Sequence, residues 1–171
     1  MRSNGDLTTE SPSETEQSVS YLHDPKFPVP TISATTGISE LVELPEDFDP
    51  YLGDPRQYTR SIFDEGCAHQ KERADLVGSS YPYPLLADRE DILVFQTHPL
   101  LKDMEVTGPV EVNLWISSTA PDTDFTAKLL DIYPPTTDYP DGYHMNIVDS
   151  IIRTRYREGF KSAKIMEVGQ I

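Results

Sequence analysis

Hydrophobic and polar residues alternate most cleanly in GPVEVNLWISS, residues 108–118. Val110, Val112, Leu114 and Ile116 fall on one side, and Glu111, Asn113, Trp115 and Ser117 on the other. A period of two is the pattern of a pleated strand with one buried face. DILVFQT from residue 91, DFTAKLLDIYP from 124 and MNIVDSIIRTRYRE from 145 have the same character, each bounded by turn residues. In the last, Val148, Ile152 and Tyr156 share a face, while Asp149, Ile151, Arg153 and Arg155 share the other. No strong helical pattern separates these segments, so the spacing predicts an all-β chain, an antiparallel sandwich or jelly roll rather than a parallel sheet. Asp141-Gly142 follows YPPTTDYP, which predicts a long loop between the third and fourth strands and not a two-residue hairpin.

Upstream of residue 91 the pattern loosens. Residues 1–20, rich in Ser, Thr, Glu and Asn, read as a flexible or edge segment. YLHDPKFPVPT (21–31) contains three prolines, each removing a backbone donor and extending its predecessor, and reads as a polyproline-like connector. Residues 32–90 are the least regular part. Asp54-Pro55 is a helix-start signal, a capping side chain followed by proline at the first helical position, and predicts a short helix with Tyr58 and Ile62 on one face, frayed near Gly66. Weaker strand signals occur near 17–22 and 38–44. The organisation expected is an edge segment 1–20, a connector and irregular insertion 21–90, and sandwich strands 91–171, with 21–171 forming one domain.

Composition narrows the function. The chain has 171 residues, long enough for one core, but 15 prolines make it loop-rich. Its 29 acidic against 14 basic residues give a formal charge of −15. That excess argues against nucleic acid and against anionic membranes, both of which are gripped by Lys and Arg. A single cysteine, Cys67, excludes an intramolecular disulfide and a multi-cysteine zinc site. The first residues lack the apolar region of a signal peptide, and no apolar run is long enough to span a bilayer, so a cytoplasmic setting is expected.

Candidate chemistry centres on SSTAPDTDFTAKLLDIYP (117–134). Asp122 and Asp124 stand two apart, as oxygen ligands do in calcium loops, yet the further ligands, turn glycine and late Glu are missing. The reading adopted is that Asp122 caps a turn and Asp124 meets Arg153 or Arg155 across a strand pair; Asp131 lies in the strand that follows. Ser117 and Ser118 lack a G-x-S-x-G context. His23, His69, His98 and His144 are scattered through loops; His69 lies two residues from Cys67, a spacing that points apart on a helix. Tyr81, Tyr83, Tyr133, Tyr139 and Tyr143 offer a sugar-stacking alternative, that of a free-standing carbohydrate-binding sandwich. A third alternative is an independent enzyme using Cys67 and His69. On the residues alone no catalytic, cofactor-binding or metal site is assigned.

DPKFPVPT, DILVFQT, LKDMEVTGPVEVNLWISSTAPDTDFTAKLLDIYP and IVDSIIRTRYREGF occur in this order. Together they resemble the C-terminal domain of the X-Pro dipeptidyl-peptidase and cocaine-esterase family of α/β-hydrolases, over residues 21–31 and 91–169. The resemblance implies a jelly-roll, galactose-binding-like sandwich that packs on a Ser-Asp-His catalytic domain and helps shape its cleft. It implies a catalytic domain or chain as partner, with a homo-oligomer as a further possibility. The family's triad lies upstream of the connector, so none of it maps here. In some relatives the linker lends apolar walls to the pocket; Ile38, Leu41, Val42 and Leu44 are the nearest apolar group, without a motif match. Relatives continue with further strands past the position of EVGQI, so an incomplete sandwich with open edges is expected.

Overall fold

The computed structural model describes residues 1–11, 18–32, 38–41, 45–47, 59–62 and 67–169. Its regular structure is two antiparallel pairs: β1 (Ile38–Leu41) with β2 (Thr59–Ile62), and β3 (Asp124–Tyr133) with β4 (Tyr143–Arg153). Among the described residues the helical parts are two 3-10 turns, Leu86–Asp88 and Thr154–Tyr156. The chain is therefore mostly strand and loop.

β3 and β4 are rich in the β-branched and aromatic residues that suit a pleated surface. Their register runs from Asp124 opposite Arg153 to Tyr133 opposite Tyr143, with a bulge at Leu129/Leu130 that leaves Ile147 as the extra residue. The bulge has a consequence for composition of the faces. It sets Asn146 opposite Leu130 and Asp149 opposite Lys128, so Lys128, Leu130, Asn146 and Asp149 share one face. The connection 134–142 is a loop, as its composition requires. It closes through Gly142, whose φ of +82° favours glycine and where a Cβ would stand 2.6 Å from the Tyr133 carbonyl oxygen.

A third backbone segment lies on the outer edge of β4. The Gln70 N–H donates to the His144 carbonyl (2.9 Å) and the Asn146 N–H to the Ala68 carbonyl (3.1 Å). At Gln70 the chain turns, with the Lys71 N–H donating to the His69 carbonyl, and changes partner. The Glu72 N–H then reaches the Pro84 carbonyl and the Leu86 N–H the Gln70 carbonyl, both at 2.9 Å. Ile32, Ala68, Leu76 and Leu86 form the buried cluster around this turn, with Val29 and Ile92 against it. The apolar centre thus sits on the connector and the insertion, beside the strand pair rather than inside it.

An ionic hub holds that centre together. Arg89 spends all five N–H donors: on Asp91 twice (2.7 and 2.8 Å), on Glu72 (2.6 Å), and on the carbonyls of Gly78 (3.1 Å) and Phe27 (3.2 Å). The Glu72 side chain is 1% exposed, and its other oxygen accepts the Ser80 N–H at 2.8 Å. Hydrogen bonds from Arg89 hold the Asp91 carboxyl below the usual carboxylate range. One guanidinium so joins the proline-rich connector, the 72–80 loop and the start of the 91–97 segment.

Three expectations are corrected. Thr59–Ile62, read as part of a helix, is a strand paired with Ile38–Leu41; the local Asp-Pro signal is overridden by pairing with a segment far away in sequence. The rest of that helix reading, 54–58 and 63–66, lies outside the described residues, as do Val42 and Leu44. The β4 periodicity ends at Arg153, so Tyr156 leaves its expected face for a 3-10 turn. Finally, DILVFQT and GPVEVNLWISS run as extended chain rather than as paired strands. Gln96 bridges the N-terminal segment through Gly5 and Leu7 (2.8 and 2.9 Å), but among the described residues no backbone hydrogen bond engages 97–117. Val110, Val112 and Leu114 are 47–49% exposed and Trp115 is 93% exposed. Alternation fixes extended geometry and a common face; it does not supply the neighbour that would cover it.

Candidate functional site

The two aspartates singled out in the sequence both meet arginines. Asp124 pairs across the strands with Arg153 in a two-pronged contact, 2.8 Å on each side. Asp122 takes the Arg155 guanidinium (Nε at 2.7 Å), the Arg155 backbone N–H (3.0 Å) and the Thr154 hydroxyl (3.0 Å). These arginine hydrogen bonds hold both carboxyls below the ordinary carboxylate range. Their oxygens are occupied by donors, which leaves a cation little to bind. Thr154, fully buried, also accepts the Thr123 N–H, so the turn before β3 and the turn after β4 are tied together. Ser118 accepts the Ala120 N–H at 3.0 Å and closes a local turn. Asp131 is exposed on β3, where its hydrogen bond raises the Tyr133 hydroxyl.

Of the four histidines the fold brings two together. The His144 N–H donates to His69 Nδ1 at 3.0 Å, across 75 residues, and the His69 ring stacks on Tyr143 at 4.5 Å. Tyr139 meets both edge-on, at 5.7 Å from His69 and 4.7 Å from Tyr143. The Tyr143 hydroxyl donates to the Cys67 carbonyl (2.6 Å), and Lys71 pairs with Asp141 (2.7 Å). Burial pushes both imidazoles below their ordinary range, most of all by desolvation. His23 and His98 stay in exposed loops. The Cys67–His69 dyad does not assemble: Cys67 is exposed, and Nδ1 is committed to a backbone amide. Nor do the tyrosines form a sugar platform. One face of Tyr143 is covered by His69, and Tyr81 and Tyr83 form a separate pair at an angle of 86°.

The face made by the bulge carries a partly buried amine that sequence reasoning missed. Lys128 donates to the Ile32 carbonyl and to Gln70 Oε1 (2.8 Å), and lies 3.9 Å from Asp149. Burial lowers it from 10.5 to about 8, against the pull of Asp149. Its contacts span 58 and 96 residues, so no local pattern announces them. Between about pH 8 and 10.5 the folded chain binds fewer protons than the unfolded one, so stability is expected to rise with pH in that window. A urea series across it should show the slope, and Lys128→Met should remove it. Asn146, fully buried two residues beyond His144, has neither amide atom hydrogen-bonded among the described residues.

The region is thus a seam, with the core turn 67–72 on one side and the strand pair on the other. Among the described residues of this seam, Lys128, His69 and Lys71 are engaged in contacts that join the two sides. The model of the X-Pro dipeptidyl-peptidase C-terminal non-catalytic domain matches residues 3–171. The chain belongs to that family. The match takes in residues 32–90. A cocaine esterase of Rhodococcus sp. (strain MB1 Bresler) is 34% identical over 170 residues, covering 98% of this chain and 22% of that protein. The chain therefore spans about a fifth of the length of the curated relative it matches. No solved structure shows a significant match. Among the described residues no helix is long and apolar enough to cross a membrane.

Proposed function

We propose that this domain serves a serine hydrolase of the X-Pro dipeptidyl-peptidase or acyl-esterase type without catalytic residues of its own. It packs on the α/β catalytic domain and helps shape the substrate cleft. The observation that carries this reading is the family match over residues 3–171 to a domain described as non-catalytic. The relative in which this chain matches only 22% of the length supports it, since most of that esterase lies elsewhere. In the catalytic domain a serine attacks the acyl carbon, a histidine takes its proton, and backbone amides hold the oxyanion.

The extended segment 104–116 is the surface we assign to docking. Val110, Val112 and Leu114 are exposed on one side of it and Trp115 on the other, with Met104 and Val106 exposed upstream. So much exposed apolar surface on one segment is rare on a free-standing protein, and unpaired extended backbone accepts a neighbouring strand readily. In this reading 91–97 and 108–118 are strands of a jelly-roll sandwich that neighbouring strands complete, in a cytoplasmic enzyme that works as a single chain or as a homo-oligomer.

The test is hydrolysis of p-nitrophenyl acyl esters and X-Pro anilides. The purified chain should show no turnover, while a separately produced catalytic domain of this family should gain activity or thermal stability when the chain is added. Turnover by the chain alone, abolished by a serine-directed phosphonate, would overturn the reading.

A further inference from the structure

The edge of β4 that receives residues 68–70 uses an unusual acceptor. The Asn146 N–H and the His144 carbonyl have backbone partners there, Ala68 and Gln70, but the His144 N–H points to the His69 ring. An imidazole nitrogen stands where a strand would offer a carbonyl. With Nδ1 accepting, the ring is neutral and its proton sits on Nε2. A carbonyl keeps its lone pairs at any pH in the physiological range; this nitrogen does not.

We propose that the docking of residues 67–71 on β4 is an acid-sensitive latch, released when His69 is protonated at Nδ1. The proton takes the lone pair that holds the His144 N–H and leaves two N–H groups facing each other. Among the described residues, the carbonyl within reach of the new donor is that of His144 at 3.5 Å, which already accepts the Gln70 N–H, so the charged ring competes with the next rung of the same ladder. Losing that rung unties the Gln70 amide from β4, while its carbonyl stays with the Leu86 N–H and its side chain with Lys128. The latch therefore governs the contact between the buried cluster and the strand pair, and not a surface loop alone.

The groups around the ring set the direction. Tyr143 stacks on it, Tyr139 meets its edge, and the Tyr143 hydroxyl is held by the Cys67 carbonyl. Lys71 and the His144 ring, whose centroid lies 6.3 Å away, oppose a positive charge, whereas Asp141 favours it but is already paired with Lys71. Burial is the largest influence and lowers the imidazole below its ordinary value, although the His144 carbonyl, an acceptor for the protonated ring, pulls the other way. A folded pKa below the unfolded one means that the open form takes the proton first. The latch is fully closed above the ordinary histidine range, about pH 6.5, and loosens as pH falls through the folded value.

Amide hydrogen exchange of Gln70 and Asn146 by NMR, corrected for intrinsic rates, reads the latch directly. Between about pH 7.5 and about pH 5 protection of these amides should fall, by no more than about tenfold per pH unit for the one linked proton. His69→Asn, which offers a carbonyl oxygen near the Nδ1 position, should keep protection independent of pH. His144→Gln should retain the pH dependence, separating the two rings. Protection that ignores pH in the parent chain, or that falls equally in His69→Asn, would overturn the proposal. Direct NMR titration of the His69 ring needs no variant: a midpoint below about 6.5 supports the latch, and one at or above it refutes it.

Discussion

Replacing Glu72 by alanine should cost about 3 kcal/mol of folding free energy, because it removes one member of a buried, hydrogen-bonded ion pair and leaves the other in place. The Glu72 carboxylate is 1% exposed and meets Arg89 at 2.6 Å and the Ser80 N–H at 2.8 Å. Without it one Arg89 donor and the Ser80 amide lose their acceptor in a place that water reaches poorly. Urea unfolding of the two chains gives the difference. Because Arg89 also holds Asp91 and the carbonyls of Gly78 and Phe27, the double variant Glu72→Ala/Arg89→Ala should be strongly non-additive. Arg89→Lys should not rescue, since an ammonium cannot span four partners with a planar fork. Additive losses would mean that the hub is only a surface decoration.

Gly78→Ala should cost a similar amount, about 3 kcal/mol, by a different route that combines backbone strain with overpacking. Gly78 has φ +85°, and a Cβ there would lie 1.9 Å from the Pro28 carbonyl oxygen. That atom belongs to main chain, so the clash is relieved only if the connector moves off the loop it packs against. The movement would pull Phe27 from Arg89 and Pro30 and Ile32 from the core, all within a few residues. A thermal melt of Gly78→Ala against the parent chain checks this. An unchanged midpoint would show that the connector is not locked to the 76–80 loop.

The sequence made some of this legible and hid the rest for physical reasons. The β3–β4 pair and the Asp124–Arg153 contact followed from alternation and from opposite charges at facing positions. Asp122 was seen as a turn cap; its arginine, Arg155, came from the 3-10 turn after a strand that ends three residues earlier than its periodicity implied. GPVEVNLWISS shows the limit of the method. Its alternation describes a strand with a covered face, while among the described residues that strand has neither a paired neighbour nor a cover. The Glu72–Arg89 pair, the Lys128 amine and the His69–His144 contact were invisible because they join residues across 17 to 96 positions. The resemblance to the hydrolase domain rested on the strand motifs, and the family match extends it through the insertion where no motif stood out.

The proposed docking of segment 104–116 on a hydrolase catalytic domain can be measured as binding. Isothermal titration of the 171-residue chain into a separately produced catalytic domain of the family tests it most directly. The account predicts saturable one-to-one binding with a negative heat-capacity change, the mark of buried apolar surface. Val112→Asp/Trp115→Asp should weaken it at least about tenfold, the equivalent of roughly 1.4 kcal/mol. No binding, or binding that the double variant leaves unchanged, would contradict it.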